Sequence, residues 1–374
     1  MFDLGKLELK ANKTLHDLTE AAKGFVDNTQ SDIQLIADAA AGCLAELDHV
    51  RLRVTHRAIE YYTAVQRMLI DDELLPVELI QKVWEQVSGQ LEHDPKPQIY
   101  ALWNPKEAVW EGAEPRLEPV PEDWNNFHIE STTYLFIHGK DYRSDPKEAY
   151  EFYVRFAKEV NLYKESHTIE DVFLVSYDTK ITDEAETIIR KGFETVLATM
   201  VTGSAPNLFL AVLWRELERR ATVTGDFLLP LLKRMREGKG SYGAVTHSLG
   251  CFTFAHAAKR LISEQPEGHG LNFWYCMAPA LPANAFTNTG IFKQAPLIGE
   301  TSVWYSFIDS ILSTAYILAN GHPAMGQTGA LEPAHSLNDI DVTKLAGPVH
   351  NVQEIAEIPG YFTLVGPKLR EKMN

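Results

Sequence analysis

Three residues of this chain have the types and the order that nucleophilic catalysis requires. Ser248 lies in AVTHSLGCFT (244–253), where a strand-like run turns helical at Leu249, with the serine at the bend. Asp309 follows the run SVWYSFI, and His350 sits in the loop AGPVHN after LNDIDVTKL. A serine hydroxyl is a weak nucleophile near neutral pH, so an imidazole must take its proton during attack. A carboxylate must in turn accept the imidazole Nδ1 proton and hold one tautomer. The tetrahedral oxyanion then needs preorganised N–H donors, worth roughly 3–4 kcal/mol each. The Leu249 amide, directly after Ser248, is one donor. The second comes from the loop FIHGKD, where His138, Gly139 and Asp141 support the amide of Lys140; the Asp141 amide is the alternative donor.

Elements with the right ends must position these groups. From about residue 130, strand-like and helical segments alternate. TTYLFIHG reads as a strand ending in glycine, and DPKEAYEFYVRFAKEV as a helix capped by Asp145, with Pro146 at its first position. Its inner face is Ala149, Phe152, Tyr153, Phe156 and Val160. VFLVSYD is the next strand, and a helical insertion covers about 184–237. Then come strand YGAVTHS, helix GCFTFAHAAKRLISE, and strands LNFWYCMA, TSVWYSFID and LNDIDVTKL. Strands separated by helices imply an α/β architecture, a mostly parallel, doubly wound sheet covered on both faces. Ligands bind at the carboxyl ends of such strands, and His138, Ser248, Asp309 and His350 all fall at or just past strand ends.

The remainder of the chain frames this domain. Residues 1–94 read as a helical N-terminal region and 95–374 as the main domain. SDIQLIADAAAGCLAELDHV carries Ile33, Ile36, Ala40, Cys43 and Leu47 on one helical face, with Ser31 as N-cap. RAIEYYTAVQRMLI continues the pattern, and Pro76 starts a further helix. Their apolar faces must bury against the chain's own core or against a second copy in a homo-oligomer. After them QIYALW and AVWEG read as short strands.

In these motifs the sequence resembles the α/β-hydrolase superfamily of serine esterases and lipases. Within it the similarity is to bacterial hydrolases that share an HG loop, an HSxG elbow and a Y-S-x-x-D acid segment. The carrying residues are FIHGKD, THSLG, YSFIDSIL and His350. The resemblance spans roughly residues 130–355 and leaves out the N-terminal helices. It implies an α/β-hydrolase-type sheet, Ser248 as nucleophile, Asp309 as acid and His350 as base, in the chain order that superfamily uses. It also implies hydrolysis of a carboxylic ester, acyl or lipid-like, by a carboxylesterase- or lipase-like enzyme. Thr246 departs from it, standing where the elbow usually keeps a glycine; a methyl and a hydroxyl must fit there.

Other histidines and carboxylates compete for these roles. His322 in NGHPAMG and His335 both precede the last strand, so His350 is the better base by position. Asp178 reads as a loop or helix cap, and Asp339 and Asp341 lie inside the last strand. His138 reads as structural. His247, next to the nucleophile, should point to the other side of its strand and pack. Cys251 reads as a small buried residue.

Composition narrows the classes. A net charge of -16 argues against nucleic acid as a partner, because that binding needs clustered Lys and Arg. The three cysteines, Cys43, Cys251 and Cys276, form neither a disulfide framework nor a zinc pattern, and a reducing cytoplasm is the expected setting. The N-terminal MFDLGKLELKANK has no apolar signal core. The run Leu197 to Trp214 is interrupted by Thr, Gly, Ser, Pro and Asn, so it reads as buried or pocket-lining, as core or as a lid, and not as a membrane span. No P-loop, dinucleotide fingerprint or metal-spaced cluster occurs, so no cofactor and no metal are expected. Phe209, Leu210, Trp214 and Phe286 suggest an apolar substrate. The alternative is a non-enzymatic protein of the same fold that binds a partner through its N-terminal helices; the complete Ser248, Asp309 and His350 set speaks against it.

Overall fold

The runs TYLFI (β3, Thr133–Ile137) and YGAVTH (β5, Tyr242–His247) have no outward face: every residue in both is buried. DVFLVS (β4, Asp171–Ser176) is buried from its second residue on. Strands without a polar face belong to the middle of a parallel sheet covered on both sides. A computed structural model of the chain describes residues 77–88, 96–109, 116–120, 133–140, 142–159, 171–180, 187–189, 205–238, 241–265, 271–287, 290, 292, 298–331, 337–347, 350–352 and 360–373. The helices expected within residues 1–76 lie outside the described residues.

Five further strands complete the sheet. They are β1 (Gln98–Trp103), β2 (Arg116–Pro119), β6 (Leu271–Met277), β7 (Ile298–Tyr305) and β8 (Asn338–Asp341). The order is β2-β1-β4-β3-β5-β6-β7-β8. From β4 to β8 all neighbours run parallel, whereas β1 is antiparallel to both β4 and β2. The edges are blunted. β2 is mostly exposed and ends in Pro119, and β8 carries Asp339 and Asp341.

This order contains a reversal of direction. The chain steps from β3 outward to β4, crosses back over β3 to β5, and then runs the other way through β6, β7 and β8. The two strands on either side of that reversal are β3 and β5. Their carboxyl ends therefore border the crevice that such sheets use for ligands.

Cross-strand register shows which helix covers which face. Phe136 is level with Val245, and Val245 with Tyr275. Their side chains share one face; Ala244 and Trp274 share the other. On the first face Phe136 packs edge-on against Tyr153 and Phe156 of α2 (Pro146–Glu159). On the second, Trp274 packs against Phe254 of the helix after β5 (Leu249–Glu264). In α2 the Asp145 carboxylate accepts the Lys147 amide at 2.8 Å and Pro146 takes the first position, as the sequence suggests. Ala149, Phe152, Tyr153 and Phe156 form its buried face, joined by Ala157; Val160 lies outside the described residues.

The helical insertion ends in one helix of 33 residues, α3 (Ala205–Glu237), which lies along the Leu249–Glu264 helix, α4. The other side of α3 meets α1 (Val77–Ser88), whose Ile80 and Val87 join the common core. A buried charge cluster sits at this junction. The fully buried Glu216 carboxylate accepts bonds from Arg219 (2.7 and 2.9 Å), Arg220 Nε (3.0 Å) and Trp84 Nε1 (3.3 Å). Among the described residues, no helix is long and apolar enough to cross a membrane.

One local expectation differs from the structure, and two elements appear that are not expected from the sequence. AVWEG does not open as a strand: Glu107–Val109 is a 3₁₀ turn, and the second short strand is RLEP instead. Pairing with β1 overrides the weak β-propensity of RLEP. A C-terminal helix (Tyr361–Met373), which sequence periodicity did not single out, packs Phe362 against Phe152 and Phe156 of α2. After β7 the chain forms a π-helical turn, Leu312–Tyr316, that runs into α5 (Ile317–Asn320). The remaining helices are α6 (Met325–Thr328), α7 (Thr343–Ala346) and α8 (Tyr361–Met373).

Removing one partner of a buried ion pair strands the other charge. Glu216→Ala should lower the unfolding free energy by about 3 kcal/mol in urea titrations, while the exposed Glu151→Ala, which pairs with Arg155 on α2, should change it by less than about 1 kcal/mol.

Candidate active site

Strand β5 delivers Ser248 to the carboxyl edge of the sheet, and α4 begins at the next residue. To turn that sharply the serine takes φ 53 and ψ −119, a positive φ that non-glycine residues rarely adopt. Backbone bonds hold it there. The Ser248 amide donates to Met277 O at 2.9 Å, and Ser248 O accepts from Cys251 (3.0 Å) and Ala280 (3.2 Å).

Two glycines let neighbouring elements close on this turn. A Cβ on Gly250 would lie 2.6 Å from the His138 carbonyl oxygen, so α4 can approach the end of β3 only without a side chain there. A Cβ on Gly139 would lie 2.7 Å from both Ser248 Cβ and His247 Nδ1. Thr246, at the usual glycine position, is accommodated by bonding. Its hydroxyl accepts the Trp274 indole N–H at 2.9 Å and lies 3.0 Å from Cys251 Sγ and 3.2 Å from Tyr275 O. On the α4 face of the sheet, that hydroxyl ties β5 to β6.

The three strand-end residues meet. Ser248 Oγ and His350 Nε2 are 2.6 Å apart, and His350 Nδ1 and Asp309 Oδ2 are 2.6 Å apart. With the carboxylate on that side, the Nδ1 proton donates to Asp309, which leaves Nε2 to accept the serine hydroxyl proton. Ser248 and Asp309 are fully buried, and His350 is 8% exposed.

Each partner is fixed by the element that carries it. Asp309 follows β7 in a loop tied down by Ser306, whose hydroxyl donates to Gly347 O at 2.6 Å, and by the Phe307 amide, which donates to Thr343 Oγ1 at 2.9 Å. Asp309 Oδ1 accepts the amides of Ile311 (3.1 Å) and Leu312 (2.9 Å). One carboxylate oxygen thus caps the π-helical turn while the other faces His350. His350 lies in the loop after α7, and α8 anchors that loop: the Tyr361 and Phe362 amides donate to Asn351 O (3.2 Å) and Val352 O (3.0 Å).

Of the suggested oxyanion donors, one follows Ser248 in the chain and the other follows Gly139, which approaches that serine. The Leu249 amide is the first of α4, a position with no intrahelical acceptor. Lys140 is in the turn after β3, where Gly139 approaches Ser248; Asp141 lies outside the described residues. His138 is buried and stacked between Tyr142 (4.4 Å) and Tyr177 (4.7 Å), with its Nδ1 3.1 Å from Gly139 O. Burial lowers its pKa to about 4, so the ring stays neutral near pH 7. His247 points to the α8 side of the sheet, 5.0 Å from the His350 ring and 5.9 Å from Tyr361. Burial pushes its pKa well below the usual imidazole range, and the His350 charge adds to that.

The other titratable groups weighed in the sequence lie apart. His322 is exposed, against Tyr316, and His335 lies outside the described residues. Asp178 accepts the Lys180 amide in a loop, Asp339 the Ala330 amide and Asp341 the Thr343 amide, which caps α7. Trp214 packs against Tyr316, and Phe286 against Trp274 and Phe292, as core residues; the side chains of Phe209 and Leu210 lie outside the described residues. Sequence reasoning missed Tyr177, Thr179 and Ser306. Each acts on the site through a backbone bond in another loop, and no motif signals such a contact. Among the described residues no cluster of His, Cys, Asp and Glu could hold a metal ion.

No protein-family model and no curated protein matches the sequence. Among solved structures, the chain is similar to carboxyl esterase 2 of the mycorrhizal fungus Tuber melanosporum, at 12% identity and a TM-score of 0.33, over 81% of this chain and 100% of that one. It is also similar to the peroxisomal alpha-beta-hydrolase Lpx1 of Saccharomyces cerevisiae, at 11% identity and a TM-score of 0.20, over 50% of this chain and 45% of that one. The chain's own sheet order, strand–turn–helix elbow and two-faced helix cover give it an α/β-hydrolase-type fold.

A histidine whose folded pKa is depressed stabilises the protein fully only above its unfolded value, near 6.5. That stability is lost as pH falls from about 6.5 through the folded value near 4. For His138 this amounts to about 3 kcal/mol. Urea titrations from pH 7.5 to 4 should show the decline, and His138→Gln should flatten it. An equally steep decline in the variant would contradict the role given to His138.

Proposed function

We propose that this chain is a serine hydrolase that cleaves carboxylic esters through an acyl-enzyme on Ser248. The observation that carries this reading is the bonded chain Ser248–His350–Asp309, with its two 2.6 Å contacts, on a strained strand–helix turn. That arrangement supplies what the chemistry needs: a base in contact with the nucleophile and a carboxylate that orients the base.

In the proposed cycle Ser248 Oγ bonds to the ester carbonyl carbon as its proton passes to His350 Nε2. The carbonyl π pair moves onto oxygen, where the amides of Leu249 and Lys140 stabilise it. The tetrahedral species collapses, the C–O bond to the alcohol breaks, and His350 returns the proton to the leaving oxygen. Water then repeats the sequence on the acyl-enzyme, losing one proton to His350 and releasing the acid and free Ser248. Asp309 stays ionised and holds the imidazolium that forms twice per cycle.

The protein should label with a fluorophosphonate probe and turn over short p-nitrophenyl esters. Ser248→Ala should abolish labelling and lower kcat by roughly 10⁶-fold, and Asp309→Asn should lower it by roughly 10⁴-fold with the fold intact. No labelling and no turnover in the natural chain would end the hydrolase reading. Labelling that persists in Ser248→Ala would move the nucleophile elsewhere.

A further inference from the structure

The turn that carries Lys140 is held from one side by a neighbouring strand end. Strand β3 lies between β4 and β5. Past the end of β4, the Tyr177 hydroxyl donates to His138 O at 3.0 Å, and the Thr179 hydroxyl donates to Gly139 O at 2.7 Å. Past the end of β5 stands Ser248, on the opposite side of β3. A trans peptide is planar, with its N–H directed opposite to its C=O; the chain has no cis peptide bond among its described residues. The Gly139 carbonyl, drawn toward Thr179 past the β4 end, therefore turns the Lys140 amide the other way, toward the β5 side. Gly139 already approaches Ser248 closely enough that a Cβ would meet Ser248 Cβ at 2.7 Å.

Thr179 does more than hold one carbonyl. Its Oγ1 accepts the Tyr142 amide at 3.0 Å, and its own amide donates to Tyr142 O at 2.8 Å. Both ends of the turn 139–142 are thus bonded to one residue that is 1% exposed. The segment 178–180 is itself braced from behind. Arg220 of α3 donates to Asp178 O (3.4 Å) and Lys180 O (3.5 Å) while its Nε binds Glu216.

We infer that Thr179 is a positioning residue: by holding the Gly139 carbonyl it aims the Lys140 amide at the oxyanion formed on Ser248. This inference rests on the hydrolase reading above. It also selects Lys140 over Asp141 as the second donor, because the Gly139–Lys140 peptide is the one that Thr179 orients.

The test uses the full chain. Thr179→Val removes the hydroxyl and with it the side-chain bonds to Gly139 and Tyr142. A misaimed donor costs part of what a missing one costs. We expect kcat on p-nitrophenyl acetate to fall roughly 10- to 100-fold with KM changed less than about twofold. Inhibition by an aryl boronic acid, whose tetrahedral adduct uses the same donors, should weaken in step with kcat/KM. Thr179→Ser should restore both. Hydrogen exchange in the 138–142 segment should quicken in Thr179→Val, return to the natural rate in Thr179→Ser, and stay unchanged in α4.

Unchanged kcat, or unchanged exchange in the segment, in a folded Thr179→Val protein overturns the inference while the hydrolase reading stands. A loss that falls on KM alone also overturns it. If Thr179→Val does not fold, Thr179→Ala decides by the same two readouts: a fall in kcat at constant KM with faster exchange in the segment supports the inference, and no change defeats it. A natural chain that neither labels nor turns over removes the hydrolase reading, and the role of Thr179 with it.

Discussion

One backbone conformation governs the carboxyl edge of this sheet, the positive φ of Ser248. Strand β5 passes into α4 through this one residue, and outside glycine such a conformation costs of order 1–3 kcal/mol. The surroundings offset that cost. Bonds to Met277, Cys251 and Ala280 fix the peptides on both sides, and two glycines let β3 and α4 close over the turn. Thr246 shows how tightly the elbow is built. A residue with a side chain is tolerated there because its hydroxyl meets the Trp274 indole.

Burial is the second constraint, and it acts through charge. Asp309 is fully buried beside the His350 ring and the Tyr361 phenol. A buried carboxylate is stable only when its lone pairs are met. Two backbone amides and one imidazole meet them here. The same burial keeps His138 and His247 uncharged, so near neutral pH neither adds a competing positive charge beside His350. In α3, burial shifts the Glu218 carboxyl in the opposite direction. Burial pushes its carboxyl up, against the pull of Arg215, Asn320 and Trp214.

The long helix α3 links these regions. Its Glu216–Arg220 pair reaches the loop after β4, that loop grips the turn after β3, and the turn lies against Ser248. Hydrogen bonds join α3 to the loop and the loop to the turn, and a close backbone approach joins the turn to Ser248.

By itself the sequence determined the alternation of strands and helices, the parallel sheet, and which residues fall at strand ends. The reason is local: unbroken apolar runs such as TYLFI and YGAVTH, the Asp-Pro start of α2 and the serine bend before α4 are written in neighbouring residues. It did not determine the antiparallel pair β1 and β2, the helix α8 or the π-helical turn, because strand pairing and packing at a distance decide those. The same line divides the site. The types and order of Ser248, Asp309 and His350 are legible in the chain. That their side chains meet at 2.6 Å, that Thr246 finds a partner in Trp274, and that Thr179 grips the turn beside Ser248 are decided only when separate strands are brought into register. A hydrogen bond between residues far apart in sequence leaves no period or motif behind it.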